Sequence, residues 1–227
     1  MQAESSRLDG PASSRHYFSS ATSSARKETL MNLVKRVKDI LLSPQTEWQV
    51  IDAEPATPAD LYKNYIVPLA AIGPIAQIIG YSVFGITVPF AGTYRVPIGS
   101  AITSALVGYI LILAGTYVLA LIIDGLALTF NAQRSQIQAL KVAAYSSTAA
   151  WVAGIFALIP GLRLLSILGL YSLYLLYLGL SIVMKSPREK VIAYTAVVGL
   201  AAIVLFMAIG VIAGRFMAVP TAGVTVP

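Results

Sequence analysis

One acidic side chain lies within the long apolar part of this sequence, and it is the first candidate for chemistry. Asp124 is the only aspartate or glutamate between Asp60 and Glu189. A carboxylate inside a bilayer is costly and usually serves a function, such as coupling transport to protons or cations. Asp124, however, falls at the end of an apolar segment, within reach of Arg134 or Lys141. We therefore interpret it as half of an interfacial ion pair, with proton or cation coupling as the alternative.

Two groups of hydroxyl side chains occur in neighbouring apolar segments. Tyr171, Tyr174 and Tyr177 recur at three-residue spacing, and Tyr145 begins a run of four hydroxyl residues that ends at Thr148. In lipid, hydroxyl groups on adjoining helices bond to each other, for about 0.6–2 kcal/mol per contact. The pattern favours helix–helix contacts, and a ligand pocket is the alternative.

Cysteine is absent from the whole sequence, and the single histidine is His16. Disulfides, thiolate metal sites, iron–sulfur clusters and a cysteine nucleophile are therefore excluded. One histidine in a Ser-rich segment does not suit a Ser-His-Asp triad, a multi-histidine zinc site or a haem ligand. The sequence also contains no glycine-rich phosphate loop, acidic metal cluster or nucleophile elbow. We predict no enzymatic activity, no catalytic residues, no cofactor and no metal.

The distribution of charge predicts the elements that position these residues. Apolar residues make up 57% of the chain and charged residues 11%, against about 25% charged residues in an ordinary soluble domain. Residues 66–214 contain only nine charged side chains: Arg95, Asp124, Arg134, Lys141, Arg163, Lys185, Arg188, Glu189 and Lys190. So few charges cannot cover a water-soluble fold, so we expect lipid to surround most of this segment. The basic residues lie near segment ends and away from aromatic clusters, which argues against nucleic-acid binding.

Five apolar segments are near the roughly 20 residues needed to cross about 30 Å of hydrocarbon. Pro68 and Pro74 predict kinks in the first, and Pro160-Gly161 predicts a tight hairpin turn between the third and fourth. The fold class is therefore an all-α integral membrane protein with five transmembrane helices. The segments cover residues 65–88, 98–123, 141–159, 164–184 and 191–213.

The first 64 residues have two different characters. Residues 1–30 are rich in serine and lack periodicity, so we expect a disordered extension. Residues 31–64 predict a cytoplasmic or interfacial segment that begins with an amphipathic helix, placed either on an anionic membrane surface or on the protein itself. Ser43-Pro44 and Thr57-Pro58 each combine a capping hydroxyl with a first-turn proline and predict helix starts.

Lysine and arginine counts predict the orientation, with nine basic residues near the spans on one side and three on the other. Because basic residues concentrate in cytoplasmic loops, the N terminus is predicted to be cytoplasmic and the C terminus external. Residues 65–214 then form the membrane domain and residues 215–227 a short external tail. The nine are Lys35, Arg36, Lys38, Lys63, Arg134, Lys141, Lys185, Arg188 and Lys190, and the three are Arg95, Arg163 and Arg215.

Several short sequence motifs, in the order in which they occur along the chain, resemble the Yip domain (Ypt/Rab-interacting protein) family in its bacterial-type form. Residues 31–44 resemble the start of bacterial members, and Asp60-Leu61-Tyr62 resembles the Asp-Leu-aromatic motif that precedes the first span. Here Lys63-Asn64 replaces the Gly-Pro that usually follows. Residues 144–148 resemble the family's third-span signature, and residues 159–161 resemble the hairpin after it. Residues 168–174 resemble the fourth span, and residues 185–190 resemble the hinge that follows.

The resemblance covers residues 31 to about 215 and implies a Yip-like membrane domain. The proline often found after the third-span signature is replaced here by Ala149 or Ala150. Eukaryotic relatives belong to the early secretory pathway and associate with prenylated Rab GTPases and with one another. Bacterial-type members lack that machinery. The expected location is a bacterial inner membrane, with the Golgi or endoplasmic reticulum membrane as the alternative, and a small GTPase partner is expected only in a eukaryotic host.

These observations predict a non-catalytic membrane adaptor or organiser that takes part in protein recruitment or trafficking-like processes. A small transporter or channel is the alternative. Expected partners are the lipid bilayer and a second copy or other membrane proteins, since Gly210 and Gly214 form a small-xxx-small motif that permits close helix approach. The candidate interaction or structural residues are Asp60, Leu61, Tyr62, Asp124, Tyr145, Tyr171 and Tyr174.

Overall fold

The structure is a computed structural model that describes residues 31–88 and 92–217. The predicted disordered extension (1–30), residues 89–91 of the first predicted loop and most of the predicted external tail (218–227) lie outside the described residues. The chain divides into two compact units, residues 1–38 and 39–227. In the first unit the described residues 31–38 are helical, and the second unit begins with helical residues 39–42. All other described elements belong to the second unit.

Both predicted helix starts are present in the second unit. Helix α1, Pro44–Ala53, begins with proline directly after Ser43, and helix α2, Pro58–Leu61, begins directly after Thr57. Proline suits the first helical position because an N–H there would have no partner within the helix. Thr57 caps its helix as predicted, because its Oγ1 accepts a hydrogen bond of 3.1 Å from the backbone N–H of Asp60. Ser43 makes no side-chain cap hydrogen bond, so the cap predicted there is wrong.

A long helical segment from Pro58 to Phe84 alternates between α and π geometry. After α2 come a π turn (Tyr62–Ile66), α3 (Val67–Ala70), α4 (Ile72–Ile79) and a second π turn (Gly80–Phe84). Pro68 lies two residues after the end of the first π turn, and its ring excludes the carbonyl four residues earlier, that of Asn64 within the turn. The widened turn accommodates that clash, so the kink predicted at this proline takes the form of a π turn.

The remaining described elements run from a short hairpin to a long final helix. Strands β1 and β2 pair antiparallel, with Thr87 opposite Thr93. Strand β1 replaces the end of the predicted first span, which the sequence extends to residue 88, and β2 lies in the loop predicted after it. The elements in chain order are β1 (Ile86–Val88), β2 (Gly92–Tyr94), α5 (Ile98–Leu126), a 3₁₀ turn (Leu128–Phe130), α6 (Gln136–Ser146), α7 (Thr148–Ala153), two 3₁₀ segments (Gly154–Leu158 and Pro160–Leu170), α8 (Tyr171–Ile182) and α9 (Arg188–Arg215).

Four helical segments of the described chain are long and apolar enough to cross a membrane. They match the predicted first, second, fourth and fifth spans. The predicted third span, residues 141–159, is divided among α6, α7 and the 3₁₀ segment that follows, with an interruption at Ser147. The architecture is therefore helical with four candidate spans, which are Pro58–Phe84, Ile98–Leu126, Leu164–Ile182 and Arg188–Arg215.

The interruption at Ser147 arises from the hydroxyl residues around it. Ser147 Oγ donates a 2.8 Å hydrogen bond to the carbonyl of Ala143, and Thr148 Oγ1 donates a 2.7 Å hydrogen bond to the carbonyl of Tyr145. Such side-chain bonds compete with the backbone ladder of a helix and bend it. Residues 139–149 are all buried, so this part of the chain forms the centre of the bundle.

The turn predicted at Pro160-Gly161 joins two 3₁₀ segments rather than two α-helices. The backbone N–H of Leu162 donates to the carbonyl of Ile159 at 2.9 Å and closes the turn. The two 3₁₀ segments pack against each other, and the second also packs against α7. Its length of eleven residues is unusual, because 3₁₀ runs of more than about 3–4 residues are uncommon.

Candidate functional site

Helix α1 is anchored on the bundle by its tryptophan. The Trp48 side chain is fully buried. A side chain at Gly179 of α8 would place its Cβ 2.9 Å from two ring carbons of Trp48, so the indole fits only because residue 179 is glycine. The ring of Tyr145, on α6, meets the indole edge-on with centroids 6.1 Å apart, an arrangement that aromatic pairs favour. Trp48 therefore ties α1 to both α6 and α8.

A buried cation closes the C-terminal end of α1. Lys141 of α6 is only 4% exposed, and its Nζ donates hydrogen bonds of 2.9 Å to the carbonyl of Ile51 and 2.6 Å to the carbonyl of Glu54. The last carbonyls of a helix lack partners within it and carry partial negative charge. Lys141 supplies both the missing donors and the complementary charge.

Asp52, near the end of α1, is held by two further side chains. Gln138 Nε2 donates a 3.1 Å hydrogen bond to Asp52 Oδ1, and Lys185 Nζ forms an ion pair with Asp52 Oδ2. Because the Lys185 side chain is 45% exposed, this pair contributes at most about 1 kcal/mol. Truncating a buried tryptophan to alanine costs about 3–5 kcal/mol. Trp48 therefore contributes more to the docking of α1 than this ion pair does.

The opposite side of α1 is open. Trp48 and Ile51 face inward and are buried, whereas Gln45, Gln49, Val50 and Ala53 are exposed. We call these four exposed residues the outer face of α1. Helix α1 is not one of the candidate spans, and its outer face, made of two glutamines, a valine and an alanine, is exposed on the bundle.

The hydroxyl run that starts at Tyr145 also binds the first helical segment. The Tyr145 ring lies 4.4 Å, centroid to centroid, from the ring of Tyr65, and the Tyr65 hydroxyl is hydrogen-bonded to Thr148 Oγ1 at 2.7 Å. This is a helix–helix contact of the kind that the sequence favours. The partner shown here, Tyr65, belongs to the first helical segment and is not one of the regularly spaced tyrosines Tyr171, Tyr174 and Tyr177.

The motif Asp60-Leu61-Tyr62 lies in the first turns of the first helical segment, and its tyrosine contacts α5. Asp60 is exposed, and its Oδ2 accepts a 2.6 Å hydrogen bond from Thr57 Oγ1. Leu61 is buried, and the Tyr62 hydroxyl donates a 2.8 Å hydrogen bond to the carbonyl of Leu113. Asp60 therefore belongs to a helix cap, and Tyr62 joins two helices.

Asp124 lies at the connection between α5 and α6. Arg134 Nε is 3.1 Å from Asp124 Oδ2, and Arg134 is one of the two basic residues that the sequence places within reach. Nearby, the Tyr194 hydroxyl of α9 donates to the carbonyl of Ile123, and the Tyr194 ring stacks on Phe130 at 4.7 Å. Asp124 therefore takes part in an ion pair at the end of the second candidate span.

Tyr171 and Tyr174 lie at the start of α8, apart from these clusters. The Tyr171 hydroxyl donates a 3.2 Å hydrogen bond to the carbonyl of Leu41, so it contacts helical residues 39–42 at the start of the second unit. The two tyrosine rings lie 5.4 Å apart, and Tyr174 is exposed. Only Tyr145, of the seven candidate residues, has a ring shown in contact with the Trp48 anchor.

Comparison with known families matches residues 38–209 to the Yip1 domain. The chain belongs to the Yip1 domain family. It is 26% identical over 176 residues to inner membrane protein YohC of Escherichia coli strain K12, across 74% of this chain and 90% of the relative, and equally to YohC of Escherichia coli O6:H1. No solved structure shows a significant match.

Membership of the Yip1 domain family, together with four candidate spans, makes this a multi-pass integral membrane protein. The predicted family is confirmed, and so is the predicted location in a bacterial inner membrane, which is where YohC resides. Within the described part of the Yip1 domain, no group of three or more acidic residues, histidines or cysteines is placed to hold a metal ion.

Sequence reasoning missed the docking role of three residues in this Yip1 domain. In the sequence, Lys141 counts only as an orientation signal and as a possible partner of Asp124, and neither Trp48 nor Gly179 belongs to a recognised pattern. One available signal was Lys141 itself, because a lysine that leads into an apolar segment needs buried acceptors. The other was the tryptophan in a short helix with a proline at its start, since a side chain of this size dominates the energetics of a helix contact when it is buried.

Proposed function

We propose that this Yip1 domain protein is a non-catalytic adaptor or organiser of its membrane that recruits other proteins through the outer face of α1. The observation that carries the proposal is a non-spanning helix held on the bundle by Trp48 and Lys141, with its other side exposed. A rigid exposed surface lowers the entropic cost of binding, because nothing must be ordered when a partner arrives.

The polar groups of the described spans support a structural role for the bundle. Tyr62 and Tyr109 each donate to a backbone carbonyl of a neighbouring helix, at 2.8 and 2.9 Å, and Ser104 donates to the carbonyl of Ala213 at 2.8 Å. These hydroxyls join helices and do not converge on one reacting centre. We propose a second copy of the chain or other membrane proteins as partners, a small GTPase only in a eukaryotic host, and no nucleic acid.

We also propose five spans, with a cytoplasmic N terminus and an external C terminus. The third span consists of α6, α7 and the 3₁₀ segment Gly154–Leu158. Its residues 139–149 are buried among other helices, so it needs no continuous apolar exterior to cross the membrane. The nine-to-three ratio of basic residues supports this orientation.

Cysteine accessibility tests this topology directly, because the chain contains no cysteine. In intact spheroplasts a membrane-impermeant maleimide is expected to label Gly99→Cys and Phe216→Cys, and to label Ala53→Cys only after permeabilisation. All three positions are exposed. With four spans, the labelling of Phe216→Cys would follow that of Ala53→Cys, and the five-span proposal would fail.

Photo-crosslinking in native membranes tests the adaptor proposal. A photoreactive amino acid is placed at Val50 on the outer face of α1, and the matched control places it at Val204 of α9. Both valines are similarly exposed, at 52% and 59%, but Val204 lies within a candidate span and is expected to contact lipid. Position 50 should give adducts with a protein, either a partner or a second copy, in at least fivefold excess over position 204.

A lack of protein adducts at position 50 would contradict the adaptor proposal.

The second candidate function, a small transporter or channel, is favoured by one observation, a buried Oδ1 of Asp124 without a hydrogen-bond partner in the described structure. Solute flux in proteoliposomes that is lost in Asp124→Asn would support that function instead.

A further inference from the structure

A cavity of about 600 Å³ lies between the first helical segment, α5, the 3₁₀ segment Gly154–Leu158 and α9. Its volume falls in the range of about 300–1,000 Å³ that is typical of small-molecule sites. The residues that line it are all uncharged, and many are small. The small residues include Gly73, Gly108, Gly154, Gly210 and Gly214.

Three polar side chains line the cavity, which are Gln77, Tyr81 and Ser104. Gln77 lies inside the first candidate span, where a side-chain amide is costly unless it forms hydrogen bonds. An amide has two N–H donors and one carbonyl acceptor, so Gln77 suits a ligand that both donates and accepts. The Ser104 hydroxyl already donates to the carbonyl of Ala213, which leaves its oxygen as an acceptor.

An apolar groove of about 270 Å³ adjoins the cavity and shares Pro74 and Ala105 with it. The groove runs between the first segment and α5. Its rim includes Ile75, Ile102 and Leu106, which are exposed on candidate spans. Exposed apolar side chains on a membrane span face acyl chains. The groove therefore faces the surrounding lipid on one side and adjoins the cavity on the other.

We propose that the groove and the cavity together bind one membrane lipid with an uncharged polar head, such as a monoacylglycerol or diacylglycerol. The acyl chain occupies the groove, and the hydroxyl or ester oxygens of the head bond to Gln77 in the cavity. An uncharged head fits because the cavity lining offers no cation to offset a buried phosphate. A plain hydrocarbon does not fit, because it would leave the amide of Gln77 unpaired.

Photolabelling of the full-length protein in phosphatidylcholine nanodiscs tests this site. The probe is a monoacylglycerol with a diazirine in its acyl chain, and the comparison probe is lysophosphatidic acid with the same chain. The monoacylglycerol should give at least fivefold more labelling, with adducts on residues 71–81 or 102–109. Gln77→Leu should reduce this labelling at least fivefold, because it removes the hydrogen bonds and keeps the volume.

A second variant fills the cavity without disturbing the packing. A Cβ at Gly210 meets no atom within 4 Å, so Gly210→Leu is expected to fold and to reduce labelling at least fivefold. The matched control is Gly125→Leu, which also has open space at its Cβ and lies outside the cavity, and its labelling should be unchanged. Equal labelling by the two probes, or full labelling of Gly210→Leu, would overturn the proposal.

Discussion

Trp48→Ala is expected to release α1 from the bundle at a cost of about 3–5 kcal/mol. The side chain is fully buried and fills the space over Gly179, and its loss leaves a cavity that the surrounding helices cannot close. Hydrogen exchange of the amides in residues 44–53, measured in nanodiscs, should accelerate about a hundredfold or more, since each 1.4 kcal/mol corresponds to about a factor of ten.

The control for this change lies on the same helix. Val50→Ala alters an exposed side chain and should shift stability by at most about 0.5 kcal/mol. Gly179→Leu should reproduce the Trp48→Ala result from the opposite side, because its side chain would take the place of the indole. Unchanged exchange of α1 in both Trp48→Ala and Gly179→Leu would show that Trp48 does not anchor the helix.

Gly80→Ala is expected to lower the free energy of unfolding by about 1–3 kcal/mol, as overpacking does in a closely packed interior. Gly80 begins the second π turn with helical backbone angles, so alanine is locally acceptable there. Its Cβ, however, would clash with the carbonyl oxygen of Ala157 and lie 3.2 Å from that of Leu158. These are backbone atoms and cannot move aside as a side chain can. Unfolding by denaturant in detergent micelles measures the change.

Gly73→Ala is the matched control, seven residues earlier in the same helical segment. A Cβ at Gly73 meets only the Cα of Gly154, at an ordinary distance of 4.0 Å. Alanine favours a helix over glycine by about 1 kcal/mol, so Gly73→Ala should be neutral or slightly stabilising. If both variants lose stability equally, the close approach of Gly80 to Ala157 is not the cause.

The membrane spans were predictable because their requirements are local. A bilayer demands about 20 apolar residues, and the Ser43-Pro44 and Thr57-Pro58 pairs mark helix starts by chemistry within one turn. The interruption of the third predicted span at Ser147 could not be predicted in the same way. The same hydroxyls that favour contacts with other helices also donate hydrogen bonds to the backbone of their own helix. Composition does not show which of these two kinds of hydrogen bond forms.

The partners that dock α1 could not be predicted, because the contacts join distant parts of the chain. Nothing near Lys141 shows that its acceptors are the carbonyls of Ile51 and Glu54. Likewise, the fit between Trp48 and Gly179 depends on how α8 packs beside α6. Such complementarity follows from three-dimensional packing and leaves no periodic pattern in the sequence.

The separation of these contacts also sets the order in which the protein is assembled during translation. Asp52 and Lys185 are 133 residues apart, which a ribosome covers in roughly 7–27 s at about 5–20 residues per second. Throughout that interval Gly179 is not yet available to the indole of Trp48, so α1 cannot yet dock in its final position. Helix α1 is made early and reaches its final place only after α8 has been synthesised.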